Sequence, residues 1–194
     1  MAISQAMRKK IKDSKTKDRI SLKVAYQTAQ ELIKKLGLKN KNPYTLKPDQ
    51  EFIENIAIIG GSIRRKKETI GDIDLLVTSH ISEEQLRNTP GVEEIWSESE
   101  KQLYFNYKSD EGIWRPINIW ECSDPHAFGS FLIHVTGSRP YNIMLRSKAK
   151  YKGFKLNQYG LFNAETNRYL AGKSEESIFK ALGMDWSKPW NREK

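Results

Sequence analysis

The chain has 194 residues, enough for one substantial domain or two small ones packed together, and its 38% hydrophobic and 29% charged residues are those of a soluble globular protein. No apolar run approaches the ~20 residues of a membrane span, the N-terminus lacks the apolar core of a secretory signal, and three scattered His with one Cys offer neither a disulfide nor a zinc-ligand spacing. The formal charge of +9 points to a polyanionic partner, nucleic acid first.

The elements follow in chain order. Residues 1–19 are lysine-rich without apolar periodicity and read as a basic arm that is flexible or orders only on binding. From Ile20 to Leu36, apolar residues at helical spacing predict a helix that Gly37 stops. KNKNPYTLKPDQ reads as a loop. IAII (56–59) is a short apolar strand ending at Gly60 and Gly61, and IDLLV (73–77) is a second. EEQLR predicts a short helix before Pro90, and QLYFNY and IWRPINIW alternate as two strands around KSDEG. Pro116 confines its strand to an edge, a bulge or a strand start. AFGSFLIHV and PYNIMLRSKAKYKG read as helices broken at Thr136-Gly137-Ser138, FKLNQYGLF and NRYL as a hairpin around NAET, and SEESIFKALG as a short capped helix. The expected architecture is α+β, with a mixed-sheet domain over 20–124 and a small helical and hairpin domain over 125–194.

GDIDLLV (71–77) carries the chemistry. Carboxylates set into an apolar run are costly unless a positive charge compensates them. Residues i and i+2 of a strand face the same way, so Asp72 and Asp74 converge on one point and suit Mg²⁺, which takes one or two carboxylates plus substrate phosphates. Just upstream lies GGSIRRKK (60–67), whose glycines admit backbone N–H groups close to a phosphate. Ser62 adds a hydroxyl and Arg65 a forked donor. Singly, a Gly-Gly-Ser turn is a turn and an Asp-x-Asp pair is a solvated edge. In this order and spacing they form an arrangement for phosphoryl or nucleotidyl transfer with metal ions.

GGSIRR followed by GDIDLLV resembles the nucleotidyltransferase palm of the family X DNA polymerases, the group containing DNA polymerase beta. HVTGSRPYNIMLRSKAKYKGFKLNQYGLF and SEESIFKALGMDWSKPWNR are similar to the family's nucleotide-facing segment and C-terminal ending, and the layout is nearest to a small viral member with a palm and one C-terminal domain. The resemblance implies that Asp72 and Asp74 ligate two Mg²⁺ ions, for which Mn²⁺ can substitute. It implies that Gly61, Ser62, Arg65 and Gly71 hold the triphosphate of a dNTP. His134 would lie beside the sugar, Gly137 would open the next helix, and Asn142 would reach the minor-groove edge of the new base. Arg146 would sense the template strand, with Lys148 and Lys150 on the same basic DNA-gripping helix, and Arg64 would couple the two domains. Implied partners are gapped or primer-template DNA and dNTP, with no membrane, a monomeric state and an intracellular site at viral or cellular DNA replication. The stretch ahead of the palm is too short for the lyase domain of larger members, so no lyase activity is expected.

One departure stands out. The family's third carboxylate, which binds the catalytic metal, falls on Asn118 in RPINIW. An amide offers one neutral oxygen and cannot act as a base. A unit charge lost ~4 Å from another is worth about 4 kcal/mol at an effective dielectric of ~20, roughly three decades of rate if it falls wholly on the transition state. An engineered Asp→Asn exchange and a natural member with lost or rerouted catalysis both explain it. Glu121 is near but has the wrong strand parity, and Asp124 lies beyond the strand. The expected function is template-directed addition of dNMP to a primer 3′ end, as in gap filling during repair. The rivals are a template-independent nucleotidyltransferase and a non-catalytic DNA-end binding protein.

Overall fold

The structure, a computed structural model, describes residues 19–99 and 102–193. The N-terminal basic arm expected over residues 1–19 therefore lies outside the described residues except for Arg19. Strand β1 (Ile20–Ser21) leads into helix α1 (Leu22–Lys35), whose first turn is capped by the Ser21 hydroxyl accepting from the Val24 N–H. Ala25, Thr28, Ala29, Leu32 and Ile33 form its buried stripe. The basic residues Lys34 and Lys35 complement its C-terminal end.

A six-stranded mixed sheet forms the centre, in the order β2 (Lys39–Lys41), β3 (Ile56–Ile59), β5 (Ile73–Val77), β8 (Trp114–Glu121), β7 (Gln102–Lys108), β6 (Val92–Ser99). The pairs β2–β3 and β5–β8 are parallel and the others antiparallel. Strand β4 (Thr69–Ile70) pairs with β1, and helices α2 (Gly61–Arg64) and α3 (Glu83–Arg87) fill the early connections. Both faces of the sheet are covered. Ala57, Ile59, Ile73, Leu75, Ile117 and Ile119 pack with the α1 stripe. Ile58 and Leu76 pack with Phe128, Phe131, Leu132 and Val135 of helix α4 (Phe128–Thr136). That double burial explains why β3 is an unbroken apolar run and not an alternating one. By parity, Asp74 and Asn118 must share the α4 side with Leu76.

Beyond α4 come α5 (Arg139–Tyr151), a three-stranded sheet of β9 (Phe154–Asn157), β10 (Gly160–Asn163) and β11 (Tyr169–Ala171), and α6 (Glu175–Ala181), packed around Ile133, Tyr141, Leu145, Leu161, Ile178 and Phe179. Ser174 and Ser177 cap α6 reciprocally. Gly129 lets α4 approach that cap closely, because a Cβ there would collide with the Ser174 backbone. Among the described residues no helix is long and apolar enough to cross a membrane.

Several expectations need correction. The stretch expected as a loop from residue 39 begins with β2, and GGSIRR is not a free turn but contains α2. FKLNQYGLF is a complete hairpin by itself, with Leu161 opposite Leu156, so NAET leads to a third strand. Strand β6 was not anticipated at all. Pro116, by contrast, meets one of its expected placements: it lies near the start of a central strand, where pairing with β5 begins only at Ile117.

Candidate active site

The site grows from the β5–β8 pair. Asp74 lies directly opposite Asn118, and the Asn118 Nδ2 donates to Asp74 Oδ1 at 3.0 Å. Its Oδ1 accepts from Gln102 Nε2 at 3.2 Å, and that same nitrogen donates to the Tyr104 hydroxyl at 2.7 Å. Both ends of the Asn118 amide are thus satisfied, and the amide presents its N–H to the carboxylate. Asp72 is half-buried in the bend just ahead of β5, with buried Gly71 beside it, so the acid expected on the strand precedes it by one residue.

Helix α2 is pressed against this pair. The Gly60 N–H donates to the Asp74 carbonyl at 2.8 Å. Gly61 has φ +52, and a Cβ there would collide with the Asp74 carboxylate. A Cβ on Gly60 would strike Val135 of α4. The glycine pair therefore exists for close approach of three elements around Asp74. One turn on, the Arg65 guanidinium donates to Ser62 Oγ at 3.3 Å, to the Thr136 carbonyl, and through Nε to Glu193 Oε1 at 2.6 Å. Gly137, also at positive φ and joined to Ser138 by a cis peptide bond, leaves room for that guanidinium.

A groove of about 410 Å³ brings together Arg65, Asp74, His134, Gly137, Asn142 and Arg146. Arg146 Nη2 lies 3.1 Å from His134 Nδ1. Because a guanidinium only donates, Nδ1 is the acceptor and the imidazole is neutral with its proton on Nε2. Burial, reinforced by the Arg146 charge, pushes the His134 pKa down to about 4. Trp120 packs edge-on to the ring at 4.7 Å, and Asn142 Nδ2 donates to the His134 carbonyl at 3.0 Å. His134 thus forms a wall of the groove. The Asn142 Oδ1 is buried without a protein partner, as a side chain facing a ligand would be.

The other named residues lie outside the groove lining. Lys148 and Lys150 occupy the last turn of α5. Arg64 is fully buried behind the site and donates to Glu175 at 2.8 and 3.1 Å and to Thr136 Oγ1 at 2.6 Å. Arg192, equally buried, grips the same carboxylate at 2.7 and 3.2 Å, and Trp186 Nε1 adds a fifth donor at 3.0 Å. Burial alone would raise the Glu175 carboxyl, but the Arg192 and Arg64 charges hold it far below the ordinary range. Glu175, Arg192 and Trp186 were not singled out from sequence, where Glu175 is an unremarkable first-turn acid. Glu121 accepts from the Ile81 N–H at 2.9 Å and faces His80, and Asp124 accepts from the His126 N–H at 2.8 Å, so neither stands in for a carboxylate at position 118.

The donor chemistry for a cation is that of two carboxylates, Asp72 and Asp74. Among the described residues no group of three or more His, Cys, Asp or Glu converges on a cation position. Two acids fit a magnesium ion that arrives with phosphate oxygens. At position 118 an ion would meet an amide whose N–H is already committed to Asp74.

Comparisons with known proteins give the following likenesses. The family model for the DNA polymerase beta thumb matches residues 131–193. The chain is 27% identical over 188 residues to the DNA polymerase/3′-5′ exonuclease PolX of Bacillus subtilis, covering 86% of this chain and 32% of that protein, so it spans about a third of that relative's length. It is 28% identical over 149 residues to the repair DNA polymerase X of African swine fever virus, covering 72% of this chain and 82% of the viral protein. The Leishmania infantum polymerase beta ternary complex superposes with a TM-score of 0.74 at 19% identity, over all of this chain and 83% of that one, a likeness of fold. From the sheet that carries the glycine-backed Asp74 to the matched residues 131–193, the chain is thus similar to the family X DNA polymerases.

Proposed function

We propose that the chain performs template-directed addition of deoxynucleoside monophosphate to a primer 3′ end, in gaps of repaired DNA, with 20–124 as palm and 125–194 as the nucleotide- and template-facing domain. The observation that carries this reading is the groove in which Asp74, backed by Gly61, faces Arg65, His134, Asn142 and Arg146. Asp72 and Asp74 would hold the magnesium of the nucleotide and be the shared ligands of a second ion, with manganese able to replace either. Bound there, such ions would neutralise phosphate charge and activate the attacking oxygen.

The residues divide the remaining work. Arg65, with Ser62 and the Gly61 and Gly71 backbone, binds the triphosphate, whose pyrophosphate leaves as the primer oxygen bonds the α-phosphorus. His134, neutral at physiological pH, packs beside the sugar without competing charge. The Asn142 Oδ1 accepts from the minor-groove edge of the base, and Arg146 senses the template strand. Lys148 and Lys150 add phosphate contacts along the duplex.

Asn118 favours a second reading, a non-catalytic DNA-end binder, because its N–H satisfies Asp74 in place of a metal. One experiment separates the two. Extension of a labelled gapped duplex with Mg²⁺ or Mn²⁺ is compared for the chain and for Asn118→Asp. The polymerase reading expects weak template-matched extension that rises by up to about three decades in the variant. Gap binding with no extension by either form overturns it in favour of the binder.

A further inference from the structure

Glu193, next to the C-terminus, makes a contact that bears on the phosphate grip. Its carboxylate bridges two cations of the segment after α2. Oε1 accepts from Arg65 Nε at 2.6 Å, and Oε2 lies 3.2 Å from Lys67 Nζ. Arg65 lies against Gly137 and Ser62 in the groove, and the same guanidinium that would grip a triphosphate is partly neutralised by Glu193. Lys67, half-exposed beside it, is neutralised by the second oxygen.

The tail does not depend on this contact. Arg192 is fully buried on Glu175 and its carbonyl accepts from the Ser138 N–H at 3.0 Å. Trp190 is covered by the Lys66 ammonium at 4.0 Å from its ring centre. The Glu193 side chain, by contrast, is 36% exposed. It can swing away while its neighbours stay anchored.

We propose that Glu193 is a resident anion in the triphosphate grip, and that an incoming nucleotide polyphosphate displaces it from Arg65 and Lys67. This rests on the nucleotide-binding reading above and adds a role for Lys67, which then becomes a phosphate contact. The carboxylate and the triphosphate carry like charge and compete for one guanidinium. The tail thereby sets nucleotide affinity and speeds release of the pyrophosphate product by reoccupying the site.

The test is a calorimetric titration of the full chain with magnesium–dNTP and, separately, with inorganic tripolyphosphate. Because the Glu193 side of the displaced pair is 36% exposed and partly exposed ion pairs are worth little, Glu193→Gln should tighten both ligands by about twofold to fivefold, an advantage that shrinks with added salt. Lys67→Gln should weaken both. Unchanged or weaker binding by Glu193→Gln overturns the proposal, since Glu193 would then be a strut that orients Arg65. Absence of tripolyphosphate binding by every form overturns it as well. The two readings fail separately. Gapped-duplex extension with no Glu193 effect on affinity removes the resident anion alone. A clear Glu193 effect without extension by any form removes the polymerase activity alone.

Discussion

Two carboxylates of this molecule lie on either side of the α4–α2 junction and are treated in opposite ways. Glu175 is fully buried, receives five donors, and is bracketed by two guanidiniums. Asp74 is half-exposed, backed by a glycine, and turned into a groove whose other polar walls come from α2, α4 and α5. The first arrangement compensates its charge inside the protein and ties α2 to α6 and to the segment that follows it. The second accepts an amide N–H from Asn118 and borders open space. A buried acid saturated by donors is a structural element, whereas an acid facing shared space is a place for a ligand.

The largest blow to that contrast is Glu175→Ala. It strands two buried guanidiniums and should cost about 3–5 kcal/mol, read as a lower urea midpoint with unchanged slope. A loss below about 1 kcal/mol would mean that water or a neighbour reaches the arginines, and the distinction would collapse. Gly61→Ala attacks the other acid. The new methyl group meets the Asp74 carboxylate at a positive φ, so about 1–3 kcal/mol of stability should go, together with nucleotide binding in the calorimeter. Retained binding would place the nucleotide elsewhere.

The smallest effect sharpens the picture of the groove. His134 has a folded pKa depressed to about 4 from an ordinary value of 6.5, by burial and then by Arg146. Below pH 6.5 the unfolded chain therefore takes up a proton that the folded one refuses. Its contribution to stability is present above pH 6.5 and is lost as pH falls towards 4. Denaturant titrations over this window should show a slope that His134→Asn removes. A parallel slope in both proteins would assign the proton to another group.

Much of the central sheet was legible because its signals are local. IAII and IDLLV are apolar runs bounded by glycines, and the two acids interrupt the second run at its start. Strand β6 was hidden because VEEIWSES carries three glutamates, and its pairing is supplied by β7 and not by its own pattern. The hairpin in FKLNQYGLF was hidden because Gln158-Tyr159 is not a usual turn pair, and only Gly160 signals the reversal. Among the candidate residues, spacing singled out Asp72, Asp74 and Ser62. The partners of Arg64 were out of reach, since Glu175 lies 111 residues away and looks like any first-turn glutamate. Glu193 was invisible for the same reason.

Strand β8 has the sharpest consequence. It is a central strand whose odd positions Ile117 and Ile119 meet α1 while Asn118 and Trp120 face the opposite side. Sliding it by a single residue would turn hydrocarbon towards Asp74 and drive a carboxamide into the densest oil of the molecule. Chemistry at position 118 is thus specified like a digit: the lattice of the sheet admits the right side chain or its complete opposite, with no graded setting between them.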